Sequence, residues 1–189
     1  MVRNEPLEAA VIEILAQLGY AVDGDSQHFL RTPQRVAESL SRFQRVSDAG
    51  VSDILDVTFT DAYSSLVQVG PVRYVSMCAH HLLPVEGVAY VGYLPDANIC
   101  GLSKLVKLVD HYAHQLTVQE RVTDQISDAL EMYLKPKGCM VVIRAQHGCM
   151  SIRGVSDPGA LTTTSAVRGL HQTSASTRAE FLTLVSLGS

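Results

Sequence analysis

Two short stretches of the chain hold the residue types from which metal sites are made. Ser76-Met77-Cys78-Ala79-His80-His81-Leu82-Leu83-Pro84 sets a thiol and two imidazoles within four positions, and His147-Gly148-Cys149 carries the same pair two apart. Zinc takes cysteine sulfur and histidine nitrogen in tetrahedral geometry, and its catalytic sites keep one position for water beside three protein ligands. Cys78, one histidine of the first stretch and Cys149 would supply three. On a strand Cys78 and His80 share a face and His81 does not, so a local twist or bulge must decide which histidine ligates. The other histidine, with His147, would stand beside the metal as a proton carrier, because imidazole titrates near neutrality. A closed structural site that also uses His147, or no metal at all, competes with this reading, and spacing alone does not choose.

Other candidates are charges in suggestive places. No G-x-x-x-x-G-K-[ST] loop occurs, so a nucleotide would not be held as in a P-loop protein. Ser103 and Lys104 open a helix, where free backbone amides favour anions, and Lys107 lies one turn on. Arg153 follows the second cluster by four residues, and Arg35 falls in the first turn of a helix, where the dipole disfavours a cation. Each taken singly reads more often as a solvated surface charge. Glu120 has two explanations. Thr117-Val118-Gln119-Glu120 matches a capping box, whereas a carboxylate beside a pocket could accept two hydrogen bonds from a guanine edge.

Composition narrows the class. The 189 residues are 47% hydrophobic, enough for one domain to bury a core without cross-links. A net charge of -4, without basic runs, argues against nucleic acid as a partner. The first residues fit neither a secretory signal nor a membrane span, so the expected compartment is the cytoplasm. There a reducing environment leaves metal binding or burial for Cys78, Cys100, Cys139 and Cys149. Cys100 and Cys139, alone among apolar neighbours, read as small buried hydrophobes.

The elements that must position these residues follow from periodicity. Leu7, Ala10, Val11, Ile14, Leu15 and Leu18 predict a helix stopped at Gly19, and Thr32 with Pro33 predicts the cap and first position of a second. A strand from Leu66 should lead into the first cluster, with Pro84 to Gly87 as the natural turn and Val85 to Tyr93 as the second strand. Two helices follow, opening at Gly101 and Thr117; then a strand from Cys139 to Ala145, a fourth from Leu161 to Val167, and a short last helix capped at Thr177. This order predicts an α+β fold with a four-stranded antiparallel sheet and two helices between its hairpins. We expect an N-terminal helical region over 1–60 and the sheet-bearing region over 61–189. Such a sheet exposes edges that other copies would cover.

The motifs together resemble those of the GTP cyclohydrolase I family. The resemblance runs from about residue 7 to 187. It rests on Ser76 to Pro84, Gly101-Leu102-Ser103-Lys104-Leu105, Val118-Gln119-Glu120-Arg121, His147-Gly148-Cys149-Met150 and Arg153-Gly154-Val155. Thr32-Pro33-Gln34-Arg35-Val36-Ala37, Thr162-Thr163-Thr164-Ser165 and Thr177-Arg178-Ala179-Glu180-Phe181-Leu182 also fit. It implies a tunnelling fold (T-fold) whose sheets join into a toroidal barrel, usually a homodecamer of two pentameric rings with sites between subunits. It also implies hydrolytic opening of the GTP imidazole ring, release of formate and closure to 7,8-dihydroneopterin triphosphate. By position, Cys78, His81 and Cys149 match zinc ligands, and His80 and His147 the proton-transfer pair. Gln119 and Glu120 match guanine recognition; Ser103, Lys104, Lys107 and Arg153 match ribose and triphosphate contacts, with Arg35 reaching in from a neighbour. The chain departs from the common pattern at Ala79, where glutamate is usual, at Lys107, where arginine is frequent, and at Ser64-Ser65, a place often acidic. A related T-fold purine or pterin enzyme, or a nucleotide-binding T-fold protein without turnover, are the other readings.

Overall fold

A computed structural model describes residues 4–22, 27–56, 58–60, 63–152, 157 and 159–188. The chain divides into two compact units, Met1–Gln44 and Arg45–Ser189.

The first unit is helical. Helix α1 (Glu5–Gln17) starts at Asn4, whose side chain accepts a hydrogen bond from Leu7 N at 3.3 Å. Pro6 and the acidic Glu5 and Glu8 suit its first turn, where a missing N–H costs nothing and the dipole favours negative charge. Gly19, at φ +84°, ends it in the left-handed region. Helix α2 (Thr32–Leu40) begins one residue before the sequence expectation: Arg31 is the cap, and the Thr32 hydroxyl donates back to His28 O at 3.3 Å. Arg35 is exposed on it.

The second unit is built on one sheet. After α3 (Ala49–Leu55), a short β1 (Thr58–Thr60) pairs with β4 (Asn98–Cys100). The main sheet has the order β5-β2-β3-β6-β7, made of β2 (Val67–Cys78), β3 (Pro84–Leu94), β5 (Leu116–Thr117), β6 (Gly138–His147) and β7 (Thr162–Gly169). Four strands are the expected antiparallel ones, β2, β3, β6 and β7. The fifth, β5, is two residues long and parallel to β2 at Met77 and Cys78. Helices α4 (Leu102–Ala113) and α5 (Gln119–Ala129) lie between the hairpins in sequence, as expected for an α+β fold.

One face of the sheet carries the core. Along β2, Val72, Tyr74, Ser76 and Cys78 are buried while Arg73 and Val75 are exposed, the alternation of a strand covered on one side. Val72, Tyr74 and Cys78 join Leu105, Leu108 and Val109 of α4 and Val122 and Ile126 of α5 in one cluster. Strand β6 is buried on both faces from Gly138 to Ile143, which its unbroken apolar run anticipates. On its second face Met140 and Val142 meet Phe181 and Val185 of α8 (Ala175–Leu187). Gly92 permits this packing, since a Cβ there would sit 2.6 Å from the Phe181 ring. Helix α8 is capped by Ser174, which accepts from Thr177 N at 3.4 Å; the expected cap, Thr177, is inside the helix. Among the described residues no helix is long and apolar enough to cross a membrane.

Candidate metal centre and its cleft

Strand β2 ends at Cys78, and the chain reverses through Ala79 to Leu83, so the turn is the cluster itself and not Pro84 to Gly87. Cys78 N donates to Leu83 O at 2.8 Å, and Leu82 N to Cys78 O at 2.9 Å. Leu82 takes φ +53° to close the reversal. His81 N also reaches Cys78 O, at 3.3 Å, so His81 folds back over the cysteine that precedes it by three. Its Nδ1 lies 3.6 Å from Cys78 Sγ. Strand alternation, which left the choice of histidine open, does not apply to a residue that is no longer on the strand.

The second cluster arrives by register. His147 is the last residue of β6 and pairs with Val85, placing the following helical turn, α6 (Gly148–Ser151), against the Cys78–Pro84 reversal. Gly148 allows that approach: a Cβ on it would meet Pro84 O at 2.9 Å and Leu83 Cβ at 3.3 Å. Cys149 Sγ then lies 4.0 Å from Cys78 Sγ, too far for a disulfide, and both cysteines are free.

Cys78, His81 and Cys149 form a group that could hold a metal ion, with one ligand atom from each lying within 4.8 Å of the others. A tetrahedral ion with metal–sulfur bonds of about 2.3 Å and metal–nitrogen bonds of about 2.05 Å would set its sulfurs about 3.8 Å apart and sulfur and nitrogen about 3.6 Å apart. The observed 4.0 and 3.6 Å fit that demand. Cys78 is 6% exposed, Cys149 is half-buried and His81 is exposed, so the group is closed on the core side and open outward.

The group borders a cleft of about 240 Å³ lined by Cys78, His80, Gln119, Glu120, His147 and Cys149, with Tyr74, Ser76 and Thr162 among its walls. His80 belongs to the same turn as His81 but faces the cleft, its ring edge-on to His81 at 6.1 Å. Glu120 reaches the cleft because it caps nothing. Helix α5 begins at Gln119 with Val118 as its cap residue, and no side chain caps it; Thr117 is the end of β5, its hydroxyl 3.4 Å from Val118 O. The capping box legible in the sequence is therefore not formed.

Gln119 is 5% exposed and holds His147, whose Nε2 lies 2.8 Å from Gln119 Oε1. Burial pushes the His147 pKa below the ordinary imidazole value, against the pull of the Glu120 carboxylate, which raises it. Thr123 and Thr164 support Gln119, and sequence reasoning did not single them out for this. The i, i+4 spacing of Gln119 and Thr123 was visible, but Thr164 joins them only through the β6–β7 register.

Six of the twelve predicted site residues thus line one cleft, and His81 completes the metal-ligand group beside it. Ser103 and Lys107 are exposed on α4, and Lys104 makes an ion pair with Asp56 at 3.5 Å; none of the three lines this cleft. Arg35 belongs to the first unit. Arg153 lies outside the described residues.

Two cysteines and a histidine able to hold a metal, with two further imidazoles and a carboxylate around a cleft, are the equipment of a metal-using hydrolase. The GTP cyclohydrolase I family model matches residues 7–186. GTP cyclohydrolase 1 of Mycobacterium tuberculosis (strain ATCC 25177 / H37Ra) is 46% identical over 180 residues, covering 94% of this chain and 88% of its own. GTP cyclohydrolase 1 of Chlorobium chlorochromatii (strain CaD3) is 44% identical over 183 residues, covering 96% and 81%. Among solved structures, the apo form of the archaeosine synthase QueF-Like overlays 57% of this chain and 96% of its own, at a TM-score of 0.48 and 18% identity. The chain belongs to the GTP cyclohydrolase I family, and its activity is that of a GTP cyclohydrolase I.

Proposed function

We propose that the chain is a zinc enzyme that opens the imidazole ring of GTP, releases C8 as formate and closes the remainder to 7,8-dihydroneopterin triphosphate, the entry to pterin and folate synthesis. The observation that carries the reading is the Cys78, His81 and Cys149 group, spaced for a tetrahedral ion and opening on a cleft with two imidazoles and a carboxylate. Two thiolates and one imidazole suit zinc, which when bound supplies a Lewis acid that brings the pKa of water to about 7.

The chain's own residues do the rest. Glu120, which lines the cleft beside Gln119, accepts from the ring N–H and exocyclic amine of guanine; a carboxylate with no side-chain hydrogen bond among the described residues supports that role. His80 and His147 carry protons to and from the ring nitrogens as the C8 bonds break. The cleft, at about 240 Å³, falls below the roughly 300–1,000 Å³ usual for small-molecule sites. It suits the base, while the ribose and triphosphate extend outward to Ser103, Lys104, Lys107 and Arg153, and to Arg35 of a neighbouring copy. The free edges of β2 and β7 support assembly of a T-fold barrel, and we take the working form to be a decamer with sites between subunits.

Chelation followed by zinc addition tests the reading. Activity on GTP should vanish and return, measured as formate and as a fluorescent pterin after oxidation. Zinc-loaded oligomer that yields neither overturns it, and mass spectrometry of the product separates it from another purine or pterin reaction.

A further inference from the structure

The polar atoms of the buried Gln119 side chain are committed to protein partners. Nε2 lies 3.1 Å from Ile143 O, 3.1 Å from Thr162 O and 3.1 Å from Thr164 Oγ1. The first two are carbonyl oxygens, which only accept, so the atom facing them must be the amide nitrogen; a flipped amide would press oxygen against both. Oε1 therefore faces His147 Nε2 at 2.8 Å. An amide oxygen has no hydrogen to give, so Nε2 must carry one.

The threonines make this assignment self-consistent. The Thr123 hydroxyl donates to Gln119 backbone O at 2.8 Å, which uses its single hydrogen. In its 2.7 Å contact with Thr164 the donor is then Thr164, whose oxygen keeps a lone pair for Gln119 Nε2. The two Nε2 hydrogens then serve three acceptors, so one hydrogen is shared, and with that sharing one choice of donors runs from Thr123 through Thr164 and Gln119 to His147; Thr123 is itself only 2% exposed. Among the described residues no hydrogen bond engages His147 Nδ1.

We infer that Gln119, braced by Thr123 and Thr164, is a positioning residue that holds the neutral His147 imidazole as its Nε2–H tautomer and leaves Nδ1 as the proton-accepting nitrogen. The inference rests on the proton-transfer reading of His147 proposed above. Which ring nitrogen bears the proton is set by the hydrogen bond the other nitrogen makes, and an imidazole in the wrong tautomer offers a hydrogen where a lone pair is needed. A neutral amide also orients the ring without the added charge by which a carboxylate would stabilise imidazolium. Gln119 has at most one Oε1 lone pair left for a substrate, so recognition of the guanine edge falls to Glu120.

Magic-angle-spinning 15N NMR of zinc-loaded, histidine-labelled enzyme at about pH 8, with His147 assigned by loss of its signals in His147→Gln, reads the tautomer directly. Protonated Nε2 and unprotonated Nδ1 are expected, with the preference lost in Gln119→Leu; protonated Nδ1 in the parent enzyme overturns the inference. In kinetics, Gln119→Leu should lower kcat roughly 10- to 100-fold with KM for GTP within about threefold, the scale of losing an orienting partner. A raised KM at unchanged kcat would make Gln119 a guanine ligand instead. Thr164→Val keeps the β-branched shape on β7 and removes only the brace. It should give a smaller kcat loss, about threefold, at the same KM, and a rise in KM alone counts against the inference. If His147→Gln keeps full turnover, the proton-transfer reading fails whatever the tautomer proves to be.

Discussion

Glu120 and His147, to which the proposed chemistry assigns substrate binding and proton transfer, are held in different ways. Glu120 is exposed and unconstrained, whereas His147 is half-buried and fixed through Gln119. On the proposed reading, Glu120→Ala would take away two charge-assisted hydrogen bonds to guanine, each worth roughly 1.5–3 kcal/mol. Steady-state kinetics should show kcat/KM for GTP lower by at least roughly 100-fold, with zinc content unchanged. His147→Ala should likewise keep its metal and lose turnover, because His147 is outside the Cys78, His81 and Cys149 group; metal analysis showing loss of zinc would move it into the ligand set. Cys149→Ser should lose both. The residue types of the centre were plain in the sequence, yet the role of each histidine was not. His81 folds over Cys78 through hydrogen bonds of the 79–83 reversal, and no side-chain pattern records that reversal.

Among the elements, long apolar periodicity was the reliable guide. Helix α4 buries Leu105, Leu108 and Val109 at 0% exposure, the stripe read from the sequence. Leu108→Ala should cost about 2–5 kcal/mol, seen as a lower urea midpoint at unchanged slope. What escaped was short or set by distant pairing. Two-residue β5 has no period to detect, and by pairing with Met77 and Cys78 it draws Thr117 into the sheet and out of the capping box. At the other end of the sheet, His171 in α7 (Leu170–Thr173) is 1% exposed, edge-on to Phe181 at 6.2 Å. Neither ring nitrogen has a partner among the described residues, and burial lowers its pKa against an upward pull from Glu180. In the unfolded chain the ring takes a proton at about pH 6.5, while the folded protein resists it. This group's contribution to stability is therefore full above that pH and declines as pH falls toward the folded value. Urea midpoints followed downward from about pH 7 should fall less steeply in His171→Leu than in the parent.

At the scale of the whole molecule, the proposed assembly has its support in the edges of the sheet. Strand β2 is paired on its outer side only at Met77 and Cys78, and β7 on one side only, so two long edges stand free among the described residues. Val75 on β2 and Leu161 just before β7 are 39% and 63% exposed. Open edges of this kind are normally covered in the working protein. Native mass measurement should find a particle near 205 kDa, about ten times the 20.5 kDa chain, and a stable monomer would contradict the assembly. The α+β class and the four antiparallel strands were legible because β2, β3 and β6 alternate or run apolar and β7 is rich in β-branched residues. The sheet's free edges led to the expectation that other copies cover them, while the decamer is implied by the family likeness alone, since no single chain's periodicity encodes what lies across its edges. The central claim is that the Cys78, His81 and Cys149 group, with His80 and His147 beside it, expels C8 of GTP. Counting formate against GTP consumed by the zinc-loaded oligomer tests it most directly. One formate for each GTP, appearing with the pterin, is the predicted result; GTP bound without release of formate would contradict it.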